Sequence, residues 1–277
     1  MTRVAALQFK AQKAQPEQSL AALCALIEQA AQAGADLVVC PEMATSGYLF
    51  ADAATIAPRC EPATAGSFPT LSALARRHGL YLVCGYPEHA PTQSPSAAAQ
   101  PPRLYNSARV IGPDGSLVYN YRKRLLFSAD TTWATDGDTP YPIVDTPLGR
   151  LCVGICMDLN DDRFVDFLRE HSATQPLIVA FCTNWLDQGS DVLPYWCYRL
   201  RGFRGVFIAA NTFGDESEPN HAPTRFCGRS TILSMDQDAS AVRDDDAVDP
   251  EDFTLGLRIT LHARAKKSGP AILLADV

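Results

Sequence analysis

The chain has 277 residues, 47% of them apolar and 20% charged, with 24 basic against 31 acidic side chains and a formal charge of −7. Such a length fits one large α/β domain or two smaller ones, and the composition excludes a disordered or collagen-like chain. The acidic balance argues against a nucleic-acid surface, and no apolar run approaches the ~20 residues that span a bilayer. The opening Met1-Thr2-Arg3-Val4 leads straight into a strand-like run, without the apolar stretch of a signal peptide. The nine cysteines include no CxxC pair, and Cys40, Cys84, Cys152 and Cys182 sit inside apolar runs. Neither a disulfide framework nor a zinc site is expected. The expectation is a reduced, cytoplasmic α/β protein.

Arg3–Phe9 is predicted as a buried strand. Residues 16–33 place Leu20, Leu23, Ile27 and Ala30 on one helical face and close at Gly34. Asp36–Cys40 is a second strand, too short and β-branched for a helix. A helix over Ser67–His78 stops at Gly79, and a third strand follows over Leu80–Tyr86. Residues 90–102 are a Pro/Ser/Ala loop. Leu104–Ile111 and Ser116–Tyr121 flank Gly112-Pro113-Asp114-Gly115 and so form a hairpin. Further strands are expected at Arg150–Ile155, Leu177–Phe181 and Val206–Ala210, with helices near 161–171 and 190–204. A last pair falls around Gly228–Ser234 and Thr254–Leu261. Between its members, residues 236–252 hold eight Asp or Glu among seventeen and form a solvated acidic loop. Residues 253–277 complete the chain as a strand and tail. No repeat or boundary divides it, so a single domain over 1–277 is expected, with helices covering mixed sheets.

Chemistry in open α/β sheets gathers at the carboxyl ends of strands. Three of those ends carry reactive groups: Glu42 after Asp36–Cys40, Lys123 after Ser116–Tyr121, and Cys156 after Arg150–Ile155. A carboxylate, an ammonium and a thiol so placed make a nucleophile with a base and a cation. Taken singly, each has a plainer role: core hydrophobe for the cysteine, surface charges for the other two. No GxSxG, Walker, GxGxxG or HExxH motif occurs, and His78, His89, His171, His221 and His262 are scattered.

The blocks Pro41-Glu42 with Ser46-Gly47-Tyr48, Tyr121-Arg122-Lys123-Arg124-Leu125-Leu126-Phe127, and Gly154-Ile155-Cys156-Met157-Asp158 resemble the three signatures of the nitrilase superfamily of carbon–nitrogen hydrolases, in order and spacing. The resemblance implies a four-layer αββα sandwich, a Glu42–Lys123–Cys156 triad and a homodimer or higher homo-oligomer. It requires no metal and no organic cofactor. Glu42 would take the thiol proton, return it to departing ammonia and then activate water. Lys123 and the N–H after Cys156 would hold the oxyanion. Many members carry a second glutamate soon after the lysine. Here Asp130 is the nearest acid, with a role as N-cap of a short turn as the alternative.

Within the family, Gly154–Asn160, Tyr48-Leu49-Phe50 and Tyr195-Trp196 with Arg199 look most like protein N-terminal asparagine/glutamine amidohydrolases. Met157 stands where true nitrilases usually have Trp, so nitrile hydrolysis is disfavoured. The expected reaction is hydrolysis of a primary carboxamide, on a peptide N-terminus or a small amide, to carboxylate and ammonia. A substrate ammonium needs an anionic partner in the cleft, and Asp158 and Asp187 are the candidates. Met157, Asn184 and Trp185 join them as candidate substrate contacts, and Trp196 as a cleft wall. The alternatives are an ω-amidase, whose substrate carboxylate would call on Arg199, Arg201 and Arg204, and a catalytically silent scaffold.

Overall fold

The structure, a computed structural model, describes residues 1–13, 15–90, 103–218, 223–236 and 258–277. The first sheet has the order β14-β1-β2-β3-β4-β5. Its strands are β1 (Arg3–Gln8), β2 (Leu37–Val39), β3 (Tyr81–His89), β4 (Leu104–Ile111), β5 (Leu117–Arg122) and β14 (Ala271–Asp276). The second has the order β13-β12-β9-β8-β7-β6, built from β6 (Val144–Thr146), β7 (Gly149–Ile155), β8 (Leu177–Thr183), β9 (Arg204–Asn211), β12 (Thr231–Asp236) and β13 (Ile259–Arg264). A two-stranded ribbon of β10 (Phe213–Glu216) and β11 (Thr224–Cys227) stands apart.

Side-chain alternation sorts each strand between two cores. Val4, Ala6, Leu37 and Val39 from the first sheet meet Leu151, Val153, Ile155, Ile178 and Ala180 from the second. The opposite faces, Ala5, Leu7, Val38 and Cys40, pack under α1 (Pro16–Gln32) and, beyond the single-turn α2 (Ala53–Ile56) in the chain, α3 (Phe68–His78). Cys152, Val179 and Phe181 pack under α4 (Asp162–Thr174) and α5 (Val192–Arg199). The order is helix, sheet, sheet, helix, the expected αββα sandwich. Each fully buried Leu, Ile, Val or Phe contributes about 1.5–3 kcal/mol, which explains why both faces of the central strands are apolar.

Local chemistry fixes the helix ends. Pro16 opens α1, where its missing N–H costs no hydrogen bond, and Gly79 ends α3 with a left-handed φ of 65°. Asp161 and Asp191 cap α4 and α5 by accepting from Arg163 N and Leu193 N. Ser19, rather than Leu20, completes the buried face of α1 with Leu23, Ile27 and Ala30.

Several boundaries differ from the sequence expectation. The third strand runs on to His89 because it pairs along its length with β4, Leu82 to Ile111 through His89 to Leu104. The helix expected near 190–204 stops at Arg199, and Arg204 already belongs to β9. The tail after 264 is not a tail: Ala271–Asp276 forms β14, antiparallel to β1 from Arg3↔Asp276 to Gln8↔Ala271. The β10–β11 ribbon and β6 were not anticipated either. Residues 91–102 of the Pro/Ser/Ala loop, the acidic stretch beyond Asp236, and 254–257 lie outside the described residues. Among the described residues no helix is long and apolar enough to cross a membrane.

Candidate active site

Glu42, Lys123 and Cys156 follow the carboxyl ends of β2, β5 and β7, and the sandwich brings the three together. Glu42 is 1% exposed and Lys123 and Asp130 are fully buried. Glu42 enters through a tight loop after Cys40-Pro41, with Met43 in the left-handed region at φ 51°. That loop lies directly on β3. A Cβ on Gly85 would stand 2.5 Å from Pro41 O and 2.6 Å from Glu42 Cα, so only glycine admits the approach. Gly137 plays the same part for Lys123, whose backbone O accepts from Gly137 N at 2.8 Å. A Cβ there would lie 2.1 Å from Arg122 O.

The Lys123 ammonium donates to Glu42 Oε1 at 2.7 Å and to Asp130 Oδ2 at 2.6 Å. Asn106 Nδ2 donates to the same two carboxylates, at 2.7 Å to Glu42 Oε1 and 3.1 Å to Asp130 Oδ1. Asn184 holds Glu42 from the opposite sheet. Its backbone N–H donates to Oε2 at 2.9 Å, and its Nδ2 donates to the Glu42 carbonyl at 3.0 Å. The Tyr48 ring lies 5.9 Å from Lys123 Nζ, and Glu216 Oε1 accepts from Tyr48 N and Leu49 N at 2.9 Å each, fixing that loop.

Burial raises the Glu42 pKa, Lys123 opposes it, and the Asp130 charge adds to the rise. Burial works against the Lys123 charge, but Asp130 and then Glu42 outweigh it and hold the ammonium above its ordinary value. Burial pushes the Cys156 thiol up and the Glu42 charge pushes it further. Lys123, the Thr183 hydroxyl and the Asn184 N–H pull it down. The net direction is upward, so the resting sulfur is a thiol that needs a base at the moment of attack. Cys156 itself has φ 42°, a left-handed conformation that strains a non-glycine residue and marks sharp turns that present a side chain.

The structure corrects the expectations for Asp158, Asp187 and Trp196. Asp158 is fully buried, and its oxygens are taken by Ile155 N, Tyr121 OH, Arg124 N and Leu125 N. It therefore has no lone pair to offer a substrate ammonium. Asp187 is paired with Lys267 Nζ at 2.6 Å. Trp196 is wholly core, edge-on to Phe181. Asp130 is not simply a turn cap: it accepts from Phe127 N at 3.0 Å while serving as the second carboxylate on Lys123. The basic trio is also dispersed. Arg199 binds Leu159 O and Asp162, Arg201 binds Tyr198 O, and Arg204 binds Ala173 O.

Of the rest, Met157 Sδ takes a hydrogen bond from Asn160 Nδ2, and Trp185 packs against Tyr195 at 5.7 Å. Sequence reasoning missed Asn106 and Thr183. The available signal was a run of polar residues, Asn106, Ser107 and Arg109, inside the fully buried strand β4.

A cavity of about 460 Å³ is walled by Leu49, Phe50, Phe127, Ala129, Leu186 and Glu218 among others, with none of Glu42, Lys123 and Cys156 in its lining. Its walls come from the segments that carry Tyr48, Asp130 and Asn184. Among the described residues no group of three or more His, Cys, Asp or Glu side chains is arranged to hold a metal.

Residues 3–247 match the family model described as carbon-nitrogen hydrolase. The chain is 27% identical over 269 residues to a protein N-terminal amidase of Schizosaccharomyces pombe, spanning 83% of this chain and 90% of that protein. It is 33% identical over 147 residues to an omega-amidase of Xenopus laevis, spanning 50% of this chain and 48% of that one. A solved structure of an N-terminal amidase with an Asn-Glu-Ala peptide superposes with a TM-score of 0.76 at 15% identity, over 100% of this chain and 97% of that chain. At that identity the match speaks to the fold.

Proposed function

This chain belongs to the carbon–nitrogen hydrolase family, and on that premise we propose that it releases ammonia from the side-chain carboxamide of an N-terminal Asn or Gln. The observation that carries the chemistry is the buried Lys123 ammonium, 2.7 Å from Glu42 Oε1 and 2.6 Å from Asp130 Oδ2, at the strand ends that also deliver the buried Cys156. Glu42 takes the Cys156 proton as Sγ attacks the carbonyl carbon. The oxyanion that forms is held by Lys123, which two carboxylates keep charged. The C–N bond breaks as Glu42 returns the proton to the departing nitrogen, leaving a thioester and ammonia. Glu42 then deprotonates a water, which attacks the thioester and restores the thiol while the acid product leaves.

Two features support a substrate with a free amine over a dicarboxylic monoamide. Glu218 is the charged side chain that lines the cavity, and it shares Lys13 with Glu216, two carboxylates on one ammonium. A substrate carboxylate would instead need a cation, and Arg199, Arg201 and Arg204 are bound elsewhere. The 83% and 90% coverage with a named N-terminal amidase supports the same choice.

The test is ammonia release from an Asn-initiated peptide, its N-acetylated form, a Gln-initiated peptide and a dicarboxylic monoamide, with Cys156→Ser as the blank. The free-amine peptides should be cleaved, the acetylated one spared, and Cys156→Ser silent though folded, because a serine hydroxyl is far harder to ionise. Cleavage of the monoamide with both free-amine peptides untouched overturns the substrate; turnover by folded Cys156→Ser overturns the nucleophile.

A further inference from the structure

Lys123 follows β5 in the first sheet and Cys156 follows β7 in the second. No backbone ladder joins those strands, so something else must set the ammonium against the sulfur. Among the described residues, the hydrogen bonds that join segment 121–125 to segment 155–158 all end on one side chain. Asp158 Oδ2 accepts from Ile155 N at 2.9 Å, immediately before the cysteine. It also accepts from Tyr121 OH at 2.8 Å. Asp158 Oδ1 accepts from Arg124 N and Leu125 N at 3.1 Å each, immediately after the lysine.

We propose that Asp158 is a positioning residue that fixes Lys123 relative to Cys156 by tying the lysine segment to the cysteine turn across the two sheets. The proposal rests on the reading of Lys123 and Cys156 as catalytic. Capping of the turn over Cys156–Asn160 uses only the bond from Ile155 N. The other three reach across to the lysine segment, more than a cap requires. The carboxylate is fully buried, so no water can replace a bond that is lost, and the four acceptances use its lone-pair sites. The bond from Ile155 N also pins the turn in which Cys156 holds its left-handed φ of 42°. Lys123 favours the Cys156 thiolate, so loosening the tie weakens that help and moves thiol ionisation to higher pH.

The test uses Asp158→Asn and Tyr121→Phe, with three readouts: kcat and KM for the amide that the wild type cleaves, the pH profile of Cys156 alkylation by iodoacetamide, and Tm. Asp158→Asn keeps the shape but turns an NH₂ toward backbone donors. We expect kcat to fall about 100-fold with KM within about threefold, and the alkylation profile to move to higher pH. Tyr121→Phe removes one bond of the four and should show the same directions, with kcat down about threefold to tenfold. A merely structural role would lower Tm and leave kcat and the alkylation profile of the folded protein in place. Folded Asp158→Asn with kcat within about threefold of wild type and an unmoved profile overturns the proposal. If Asp158→Asn does not fold, Tyr121→Phe decides: a shifted profile at wild-type Tm supports the tie, and an unmoved one overturns it. If the wild type cleaves none of the four amides, the amidase reading fails, and the alkylation profiles still decide the role of Asp158.

Discussion

Asn106→Leu is the sharpest probe of how the base is held. Asn106 is 1% exposed, and its Nδ2 donates to Glu42 and Asp130 while its Oδ1 has no partner among the described residues. Leucine is close in size, so the strand β4 and the bond from Lys123 N to the residue-106 carbonyl are kept. Two hydrogen bonds to charged groups are lost, about 1.5–3 kcal/mol each. Removing the orphaned Oδ1 returns about 1–3 kcal/mol. The difference spans about 0–5 kcal/mol with a midpoint near 2.5, and that midpoint lowers Tm by roughly 5–10 °C for a chain of this size. The donated bond also holds the Glu42 pKa down, so its loss raises that pKa further. A higher pKa keeps Glu42 protonated to higher pH, and the acid limb of kcat/KM must rise, not fall. With Lys123 and Asn184 still on Glu42, kcat should drop about tenfold rather than vanish. The assays are calorimetry and ammonia release across pH. A wild-type Tm together with an acid limb that stays put or moves down would refute the reasoning.

Gly85→Ala forces a methyl to 2.5 Å from Pro41 O and should cost about 1–3 kcal/mol or more while displacing Glu42. Denaturant unfolding and ammonia release should fall together, and full activity would show that the loop tolerates the shift. For the wild type, activity needs Glu42 ionised, and burial raises its pKa from the usual 4.5. The acid limb of kcat/KM should lie above that value. A profile flat down to pH 4.5 would remove Glu42 as the base.

The sequence by itself determined the secondary elements with strong periodicity and the positions of the three reactive groups. Buried strands such as Leu177–Thr183 are near-continuous apolar runs, and the chain must turn where Gly79 or Cys40-Pro41 breaks them. A reactive residue just past such a run lies at a strand end whatever the sheet order. Glu42 and Cys156 were legible for that reason, and Lys123 because the Gly112–Gly115 turn sets a hairpin strand that it follows. Which distant residues meet there was not. Asn106 is thrown onto Glu42 by the β3–β4–β5 pairing, and Asn184 by the stacking of one sheet on the other. The same holds for charges. In the sequence Asp158 and Asp187 are free carboxylates that suit an ammonium; in the fold one is filled by Ile155 N, Tyr121 OH, Arg124 N and Leu125 N, and the other by Lys267. Strand β14 shows the limit in its plainest form. Ala271–Asp276 is a short apolar run with no local turn to pair it, and only the free edge of β1, more than 260 residues earlier, makes it a strand. Periodicity is a property of neighbours along the chain, whereas hydrogen-bond partnership and desolvation depend on what packs from elsewhere, and those only the tertiary structure decided.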